Sequence, residues 1–271
     1  MIKHNFKKQY GQNFLVSTRF ADELIDALEI KEGDTVLEIG PGDGMITNII
    51  LNTSDCRFFA VEVDYDLLPN LIRRFSSFPN FKLIHNDVLK LDLNTLIQEN
   101  NIQGEIKIIG ALPYNISKKI IDKFLNDAQE LSDNVRISKM SFIVQEEVAK
   151  AYVAKAPQAT FLSNYLQFFA DARKLKSIPS HKFYPMPKVN GAILQITLNE
   201  NDKDKIKELR KFLRVGFTSP RKTLIRNLSN IPEYKFKDLR KIFSELKINS
   251  NARPAELELD QWKELFRILE K

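Results

Sequence analysis

The 271-residue sequence contains a single cysteine, Cys56, which excludes an internal disulfide and a zinc site built from several cysteines. Three widely spaced histidines give no metal-binding pattern, so we predict no metal. Because no run of 18 apolar residues occurs, the sequence predicts no membrane-spanning helix. The first 14 residues lack the apolar core of a secretory signal, and we therefore expect a cytoplasmic protein.

Positive charge is distributed unevenly along the chain. Residues 201–271 contain 18 Lys and Arg against 11 Asp and Glu, whereas residues 1–200 contain 23 against 24. A basic segment beside a near-neutral one favours a polyanionic partner, because phosphate contacts release condensed counterions. A solvated lysine-rich surface would give the same composition, so charge alone leaves both interpretations open.

Short apolar runs alternate with helical patterns from about residue 18 to residue 200. This alternation predicts βαβ units, a mostly parallel sheet and the α/β fold class. Five strands are expected in this region, followed by two more that close the sheet as an antiparallel pair. The predicted strands are Thr35–Ile39, Arg57–Val63, Phe81–His85, Glu105–Gly110, Lys139–Val144, Leu166–Ile178 and Ala192–Leu198.

The composition changes near residue 200, where the polar stretch Asn199–Lys205 indicates a linker. Beyond it, apolar residues recur with helical spacing and without any strand pattern. We therefore predict two domains, a sheet-containing domain over residues 1–200 and a small basic all-helical domain over residues 201–271. The expected helices of the second domain are Lys205–Phe217, Pro220–Leu228, Lys235–Leu246 and Pro254–Leu269.

A glycine-rich loop, Glu38–Gly44, follows the first predicted strand and reads EIGPGDG. Glycines at this point allow a sharp turn and a close approach of the backbone to a ligand. The loop differs from the G-x-G-x-x-G pattern that seats a pyrophosphate on a helix N-terminus. Its carboxylates, Glu38 and Asp43, suit a cationic ligand such as a sulfonium that carries an ammonium group. A tight turn without any ligand is the alternative interpretation.

Two further acidic residues follow the next two strands. Glu62 lies 18 residues after Gly44, a distance at which a carboxylate can accept hydrogen bonds from both ribose hydroxyls. Asp87 can accept from an adenine amine while the Val88 N–H reaches a ring nitrogen. Each acid alone could be an ordinary surface, turn or capping residue. Together they mark the carboxyl edge of one sheet, where open α/β sheets bind ligands.

Several motifs follow one another along nearly the whole chain. In this order they resemble the 16S ribosomal RNA adenine dimethyltransferase family. The motifs are KKQYGQNFL at 7–15, EIGPGDGMIT at 38–47, LPYNIS at 112–117, HKFYPMPKV at 181–189, FTSPRKTLIRNL at 217–228 and ARPAEL at 252–257.

The resemblance implies a Rossmann-like class I methyltransferase sheet of seven strands that binds S-adenosyl-L-methionine. It further implies dimethylation of N6 in two adjacent adenosines near the 3′ end of small-subunit ribosomal RNA, during ribosome biogenesis. The implied partners are that RNA and the assembling small ribosomal subunit, and the implied oligomeric state is a monomer.

The resemblance also assigns roles to individual residues. The Leu112 carbonyl would accept a hydrogen bond from the target amine, while Tyr114 and Phe183 would stack on opposite faces of a flipped-out adenine. Either ring alone would more commonly belong to a hydrophobic core. The cofactor-binding residues would be Gln12, Asn13, Leu15, Gly40, Gly42, Glu62, Asp87, Val88 and Ala111, and the RNA-binding residues Arg221, Lys222, Arg226 and Arg253.

The sequence departs from the family pattern at Ala111. In the family pattern an asparagine directly precedes Leu-Pro-Tyr, whereas this sequence has an alanine there. The alanine methyl cannot accept a hydrogen bond from the target amine. Such a loss costs about 2–4 kcal/mol at a transition state, by comparison with a lost oxyanion-hole donor, and slows turnover roughly 30- to 1,000-fold. The asparagine also helps to hold the cofactor, so both roles expected at position 111 are weakened.

Three other functions remain open from the sequence. Ala111 is compatible with a catalytically impaired or inactive assembly factor that binds ribosomal RNA. A methyltransferase of large-subunit ribosomal RNA is a second alternative within the same chemistry. A nicotinamide oxidoreductase is the least favoured, because the glycine loop and the LPY loop both fit it badly.

Overall fold

The computed structural model describes residues 13–132, 134–199 and 203–269. The chain divides into two compact units, one made of Met1–Ala149 with Arg173–Leu198 and the other of Lys150–Ala172 with Asn199–Lys271. Within the described ranges, no helix has both the length and the apolar character needed to cross a membrane.

The strands of the described residues form two sheets. Seven of them make one sheet in the order β4-β3-β2-β5-β6-β9-β7, and β1 pairs with β8 in a separate two-stranded sheet. The strands are β1 (Phe14–Leu15), β2 (Thr35–Ile39), β3 (Arg57–Glu62), β4 (Phe81–His85), β5 (Gly104–Ala111), β6 (Val135–Gln145), β7 (Ala170–Ile178), β8 (Phe183–Tyr184) and β9 (Gly191–Leu198).

The large sheet is mostly parallel. Strands β4, β3, β2, β5 and β6 run parallel to one another, and β9 runs antiparallel to β6. All five residues of β2 are buried, as are the last five of β3. A strand covered on both faces needs a near-continuous apolar run, which is the pattern that identified these strands in the sequence. The predicted α/β class and seven-stranded sheet are therefore confirmed.

Helices α1 to α6 follow or precede these strands. Helices α1, α2 and α3 pack with β2 and β3 into one hydrophobic core, to which Leu24, Ile50 and Leu71 contribute fully buried side chains. A 3₁₀ turn at Tyr65–Leu67 directly precedes α3. The six helices are α1 (Thr18–Asp26), α2 (Met45–Thr53), α3 (Leu68–Phe75), α4 (Leu93–Glu99), α5 (Ser117–Glu130) and α6 (Glu146–Val153).

The predicted strand over Leu166–Ile178 is wrong in its first part. Residues Phe161–Gln167 form helix α7, and β7 begins only at Ala170. The helix starts at a capping box in which the Thr160 hydroxyl accepts from the Ser163 N–H at 3.0 Å and the Ser163 hydroxyl accepts from the Thr160 N–H at 2.8 Å. This pair satisfies two backbone donors and fixes the helix start, which an apolar run does not reveal.

Among the described residues, the second unit contains α7 and four further helices around an aromatic core. The fully buried Trp262 stacks on Phe217 with ring centroids 5.6 Å apart and meets Phe212 at 5.9 Å. Three of the four predicted helices shift by one or more residues at their ends, and the last begins as a 3₁₀ turn at Pro254–Glu256. These helices are α8 (Lys203–Gly216), α9 (Leu224–Leu228), α10 (Phe236–Glu245) and α11 (Leu259–Leu269).

The predicted domain boundary at residue 200 differs from the division in the structure, because Lys150–Ala172 belongs to the second unit. The cause lies in the packing of α7. The Phe161 ring stacks on Tyr165 at 6.0 Å and meets Phe217 edge-on at 6.4 Å, and the Arg210 guanidinium lies 5.3 Å from the Tyr165 ring centroid. Such contacts between distant segments leave no signal in composition.

Candidate cofactor and catalytic site

A pocket lies within the first unit at the carboxyl ends of β2, β3, β4 and β5. Its empty volume is about 920 Å³, including the solvent at its mouth. Parallel strands bring their carboxyl ends to one edge, which explains why residues far apart in sequence meet here. Nine of the predicted site residues line this pocket, namely Asn13, Leu15, Gly40, Gly42, Glu62, Asp87, Val88, Ala111 and Leu112.

The glycine loop makes the turn between β2 and α2. Gly40 and Gly42 have φ angles of 63° and 61°, a left-handed conformation that favours glycine. A Cβ on Gly42 would lie 2.9 Å from the Phe14 ring, so a side chain there would displace that ring. Phe14 also lines the pocket, and the sequence analysis did not single it out.

Glu62 is the last residue of β3 and is only 4% exposed. Its Oε1 accepts a hydrogen bond from the Asp64 N–H at 2.8 Å, and its Oε2 accepts from the Gly42 N–H at 3.4 Å. Burial raises the pKa of this carboxyl, while the two backbone N–H groups oppose the shift. Each oxygen keeps lone-pair capacity, so Glu62 can hold the glycine loop and accept from ligand hydroxyls together.

Glu38 and Asp43 do not share one environment, contrary to the interpretation of the loop as a pair of carboxylates that faces a cation. Asp43 lines the pocket, whereas the buried Glu38 accepts a hydrogen bond from the Thr47 hydroxyl at 2.5 Å. Burial raises the pKa of Glu38 to about 8, and the negative charges of Glu62 and Asp43 add to the shift. Glu38 itself is not among the residues that line the pocket.

The end of β4 contributes Asn86, Asp87 and Val88 to the pocket. One Asp87 oxygen accepts from the Leu89 N–H at 2.9 Å, which makes a turn of the kind that aspartate commonly forms. The Asn86 N–H donates to the Glu62 carbonyl at 3.1 Å and so ties β4 to β3. Asn86 was not predicted as a site residue, although its position directly before Asp87 at a strand end was a usable signal.

The end of β5 enters the pocket at Ala111 and Leu112. The Leu112 N–H donates to the Ile143 carbonyl at 2.9 Å, which fixes the backbone just before Pro113. Gly110 is required one residue earlier, because a Cβ there would lie 2.6 Å from the Ile39 carbonyl oxygen. Ala111 is half-buried and packs beside the core, and its methyl stands in place of the amide of the family pattern.

Tyr114 and Phe183 do not form the expected pair of parallel rings. Their centroids are 6.3 Å apart and their planes meet at 70°, so the rings contact each other edge to face. Phe183 is 3% exposed and belongs to the hydrophobic core. The Tyr114 hydroxyl is buried without a hydrogen-bond partner among the described residues, and burial raises its pKa to about 12.

The predicted RNA-binding residues lie in the second unit and are exposed. The Leu224 N–H donates to the Ala252 carbonyl at 2.8 Å, which joins the segment that carries Arg221, Lys222 and Arg226 to the one that carries Arg253. We call these four residues the basic cluster. The remaining predicted residue, Gln12, lies outside the described residues.

The strand order, the antiparallel β9 and the pocket at the glycine loop define a protein of the Rossmann-like methyltransferase class. A family model described as ribosomal RNA adenine dimethylase matches residues 3–271. The chain belongs to this family, as the order of motifs in its sequence predicted.

Two curated relatives are both named ribosomal RNA small subunit methyltransferase A. The protein from Mycoplasma mycoides subsp. mycoides SC is 33% identical over 97% of this chain and 97% of its own length. The protein from Ureaplasma parvum serovar 3 is 34% identical over 97% of this chain and 94% of its own length.

Two solved structures share the fold. A dimethyladenosine transferase from Plasmodium falciparum has a TM-score of 0.77 and 20% identity, covering 95% of this chain and 96% of its own. The 23S rRNA methyltransferase ErmE has a TM-score of 0.76 and 19% identity, covering 96% of this chain and 100% of its own.

Proposed function

We propose that this protein transfers methyl groups from S-adenosylmethionine to N6 of two adjacent adenosines near the 3′ end of small-subunit ribosomal RNA. Membership in the ribosomal RNA adenine dimethylase family and the names of the relatives support the reaction and the subunit. The observation that carries the proposal is the pocket that joins the glycine loop, Glu62 and the Ala111–Leu112 end of β5. The reaction takes place in the cytoplasm on the assembling subunit, and the protein acts as a monomer.

The donor groups around the pocket fit S-adenosylmethionine. Glu62 supplies two buried carboxylate oxygens for the ribose hydroxyls, and Asp87 with the Val88 N–H lies at the next strand end for the adenine. Asn13 and the backbone of Gly42 line the region for the amino-acid part. When bound, this cofactor supplies an electrophilic methyl group on a sulfonium.

The chain contributes positioning more than acid–base chemistry. The Leu112 carbonyl accepts one N–H of the adenine amine and turns the nitrogen lone pair into the pocket. Pro113 stiffens the loop and removes a competing backbone donor. A strong base is not required, because the proton can leave to solvent after the nitrogen has formed its new bond. Tyr114 provides a face for the base, and Phe183 must turn from its present edge contact to enclose it.

A second candidate function is favoured by one specific observation, the methyl of Ala111 at the pocket wall. Without an amide at this position, one amine N–H has no side-chain acceptor from residue 111, and the transition state is less stabilised. A protein that binds the subunit but methylates it slowly or not at all would then act as an assembly factor.

The experiment compares methyl transfer from labelled S-adenosylmethionine to unmethylated small ribosomal subunits by the wild type, Ala111→Asn and Ala111→Leu. Leucine has the branched shape of asparagine with two methyl groups in place of the amide oxygen and nitrogen, so it controls for filling the space without a polar atom. We expect Ala111→Asn to be roughly 30- to 1,000-fold faster than the wild type, and Ala111→Leu to be no faster. Equal rates for the wild type and Ala111→Asn would show that another group supplies the acceptor.

Two further outcomes separate the candidate functions. Subunit binding without methylation by either the wild type or Ala111→Asn would favour the assembly factor. Mapping of methylated positions by mass spectrometry distinguishes the small-subunit target from large-subunit ribosomal RNA, because only the former gives dimethyladenosine in the 3′-terminal fragment. Size-exclusion chromatography with light scattering tests the monomer.

A further inference from the structure

The first unit contains a basic stretch that its near-neutral total charge conceals. Between Asp171 and Glu200 the sequence has no acidic residue, while five Lys or Arg residues and His181 occur there. The HKFYPMPKV motif, residues 181–189, lies in the middle of this stretch. We call residues 181–189 the tip segment.

The tip segment presents large apolar side chains to solvent. Tyr184 is 62% exposed and Met186 is 67% exposed, whereas the adjacent Phe183 is 3% exposed. Side chains alternate along a strand, so burial of Phe183 in the core sets Tyr184 outward. Lys182 and Lys188 flank these apolar residues.

Hydrogen bonds hold both ends of the tip segment in place. The Val16 N–H donates to the Lys182 carbonyl at 2.9 Å, and β8 pairs with β1 so that Tyr184 lies opposite Phe14. At the other end, Asn190 accepts from the Ser180 N–H at 3.0 Å through its side chain and from the Glu146 N–H at 3.0 Å through its carbonyl. The exposed Tyr184 ring and the two lysines therefore lie on a segment that is held at both ends.

The tip segment lies beside the proposed reaction site. Phe14, which pairs with Tyr184, lines the cofactor pocket, and Phe183 contacts the ring of Tyr114. An adenine positioned at Tyr114 therefore carries its neighbouring nucleotides past this side of the unit.

We propose that the tip segment docks single-stranded RNA next to the target adenosine, with Tyr184 stacking on a neighbouring unpaired base and Lys182 and Lys188 contacting phosphates. The inference rests on the proposed function, since it names the part of that substrate which this surface recognises. An aromatic ring between cations is the combination that single-stranded nucleic acids favour, because bases stack and phosphates pair with charge. Lys174 and Lys176 form ion pairs with Glu146 and Glu23, so the charge offered to a polyanion is that of Lys182 and Lys188 in the tip segment.

The test uses the full chain, unmethylated small ribosomal subunits, and the variants Tyr184→Ala, Tyr184→Trp and Ile72→Ala. Ile72 is 52% exposed on α3 and controls for truncation of an exposed apolar side chain. We expect Tyr184→Ala to weaken subunit binding and raise KM roughly 5- to 150-fold, with kcat less affected, because stacking on an aromatic side chain has this strength. Tyr184→Trp should retain binding, and S-adenosylmethionine affinity and thermal midpoint should not change in any variant.

The double variant Lys182→Ala, Lys188→Ala tests the phosphate contacts. The slope of log affinity against log salt should fall by about 1.4, the value for two phosphate contacts on a single strand. Unchanged subunit affinity in both Tyr184→Ala and the double lysine variant would overturn the inference. A loss of binding to anionic phosphatidylserine vesicles, with subunit binding intact, would do the same and indicate a lipid surface.

The two proposals fail in distinguishable ways. If the wild type methylates subunits and Tyr184→Ala binds and methylates them equally well, only the tip segment inference is contradicted. If the wild type binds subunits through Tyr184 but transfers no methyl group, only the proposed reaction is contradicted.

Discussion

Two buried carboxyl groups, Glu38 and Glu62, show how the same side-chain chemistry serves different purposes at one sheet edge. Glu62 is tied to two backbone N–H groups and lines the pocket. Glu38 accepts from Thr47, and its Oε1 is buried without a hydrogen-bond partner in the described part of the chain. The first is arranged to remain available to a ligand, and the second is arranged to favour its neutral form.

The raised pKa of Glu38 predicts a specific pH dependence of stability. Its folded-state pKa of about 8 lies above the ordinary value of 4.5, so protonated Glu38 favours the folded state. This stability is present below the ordinary pKa and is lost as pH rises toward 8, at up to about 1.4 kcal/mol for each unit of pKa difference. Glu38→Gln, which stays neutral, should show a flatter decline in the free energy of unfolding between pH 5 and 8, measured by urea denaturation.

The control for this measurement is Glu32→Gln, a change at an exposed glutamate of the same unit. Its pH profile should follow the wild type. A parallel decline in wild type and Glu38→Gln would contradict the assignment of the pH dependence to Glu38, leaving Glu62 and Asp43, whose pKa values are also raised, as the source.

Replacement of Glu62 by glutamine should weaken the binding of S-adenosylhomocysteine. Glutamine keeps one acceptor oxygen but replaces the other with a donor, so one charged hydrogen bond to the ribose is lost. Such a bond contributes about 1.5–3 kcal/mol, which corresponds to roughly 10- to 150-fold in Kd. Isothermal titration calorimetry measures the change, with Glu99→Gln on the exposed face of α4 as the control. An unchanged Kd would remove Glu62 from the cofactor site.

Among the secondary structure elements, β9 begins at Gly191, where the absence of a side chain leaves room for the rings of Tyr114 and Phe183. A Cβ on Gly191 would lie 2.9 Å from both the Tyr114 hydroxyl and the Phe183 ring. The start of this strand therefore permits the close approach of two rings that come from distant parts of the sequence.

Substitution of Gly191 by alanine should therefore lower the rate of methylation without lowering cofactor affinity. The added methyl pushes the rings apart or out of their rotamers, and overpacking of this kind costs typically 1–3 kcal/mol. Labelled methyl transfer and calorimetry report the two quantities separately. In the double variant Gly191→Ala, Phe183→Leu, the smaller leucine leaves space for the added methyl group. The loss of methylation rate should therefore be smaller than the sum, in free energy, of the losses in the two single variants. Strict additivity would show that Gly191 does not act through Phe183.

The same elements show what the sequence could predict. The bounds of β2 and β4 were predicted correctly, because short segments rich in apolar residues between turn residues mark strands well. Helix α4 was missed, since its seven residues, capped by Asp92, are too few for a clear period. Glu62 and Asp87 could be assigned to the pocket because they stand at strand ends, whereas the edge contact of Tyr114 with Phe183 depends on rotamers set by packing.

At the scale of the whole molecule, the cofactor pocket and the basic cluster belong to different compact units. The pocket is built from buried strand ends and fixed backbone turns, and the cluster from exposed side chains on short segments. Cofactor binding and RNA binding should therefore respond to different substitutions, the first with little dependence on salt and the second with a strong one.

Combined replacement of Arg221, Lys222, Arg226 and Arg253 by alanine tests this separation. If each contacts one phosphate, the slope of log affinity for the small subunit against log salt should become shallower by about 3. The affinity for S-adenosylhomocysteine should not change. A matched variant that replaces four other cations of the second unit, Lys237, Arg240, Lys241 and Lys263, removes the same formal charge outside the cluster. A similar loss of slope in both variants would assign RNA binding to the net charge of the unit, whereas a loss confined to the first would assign it to the basic cluster.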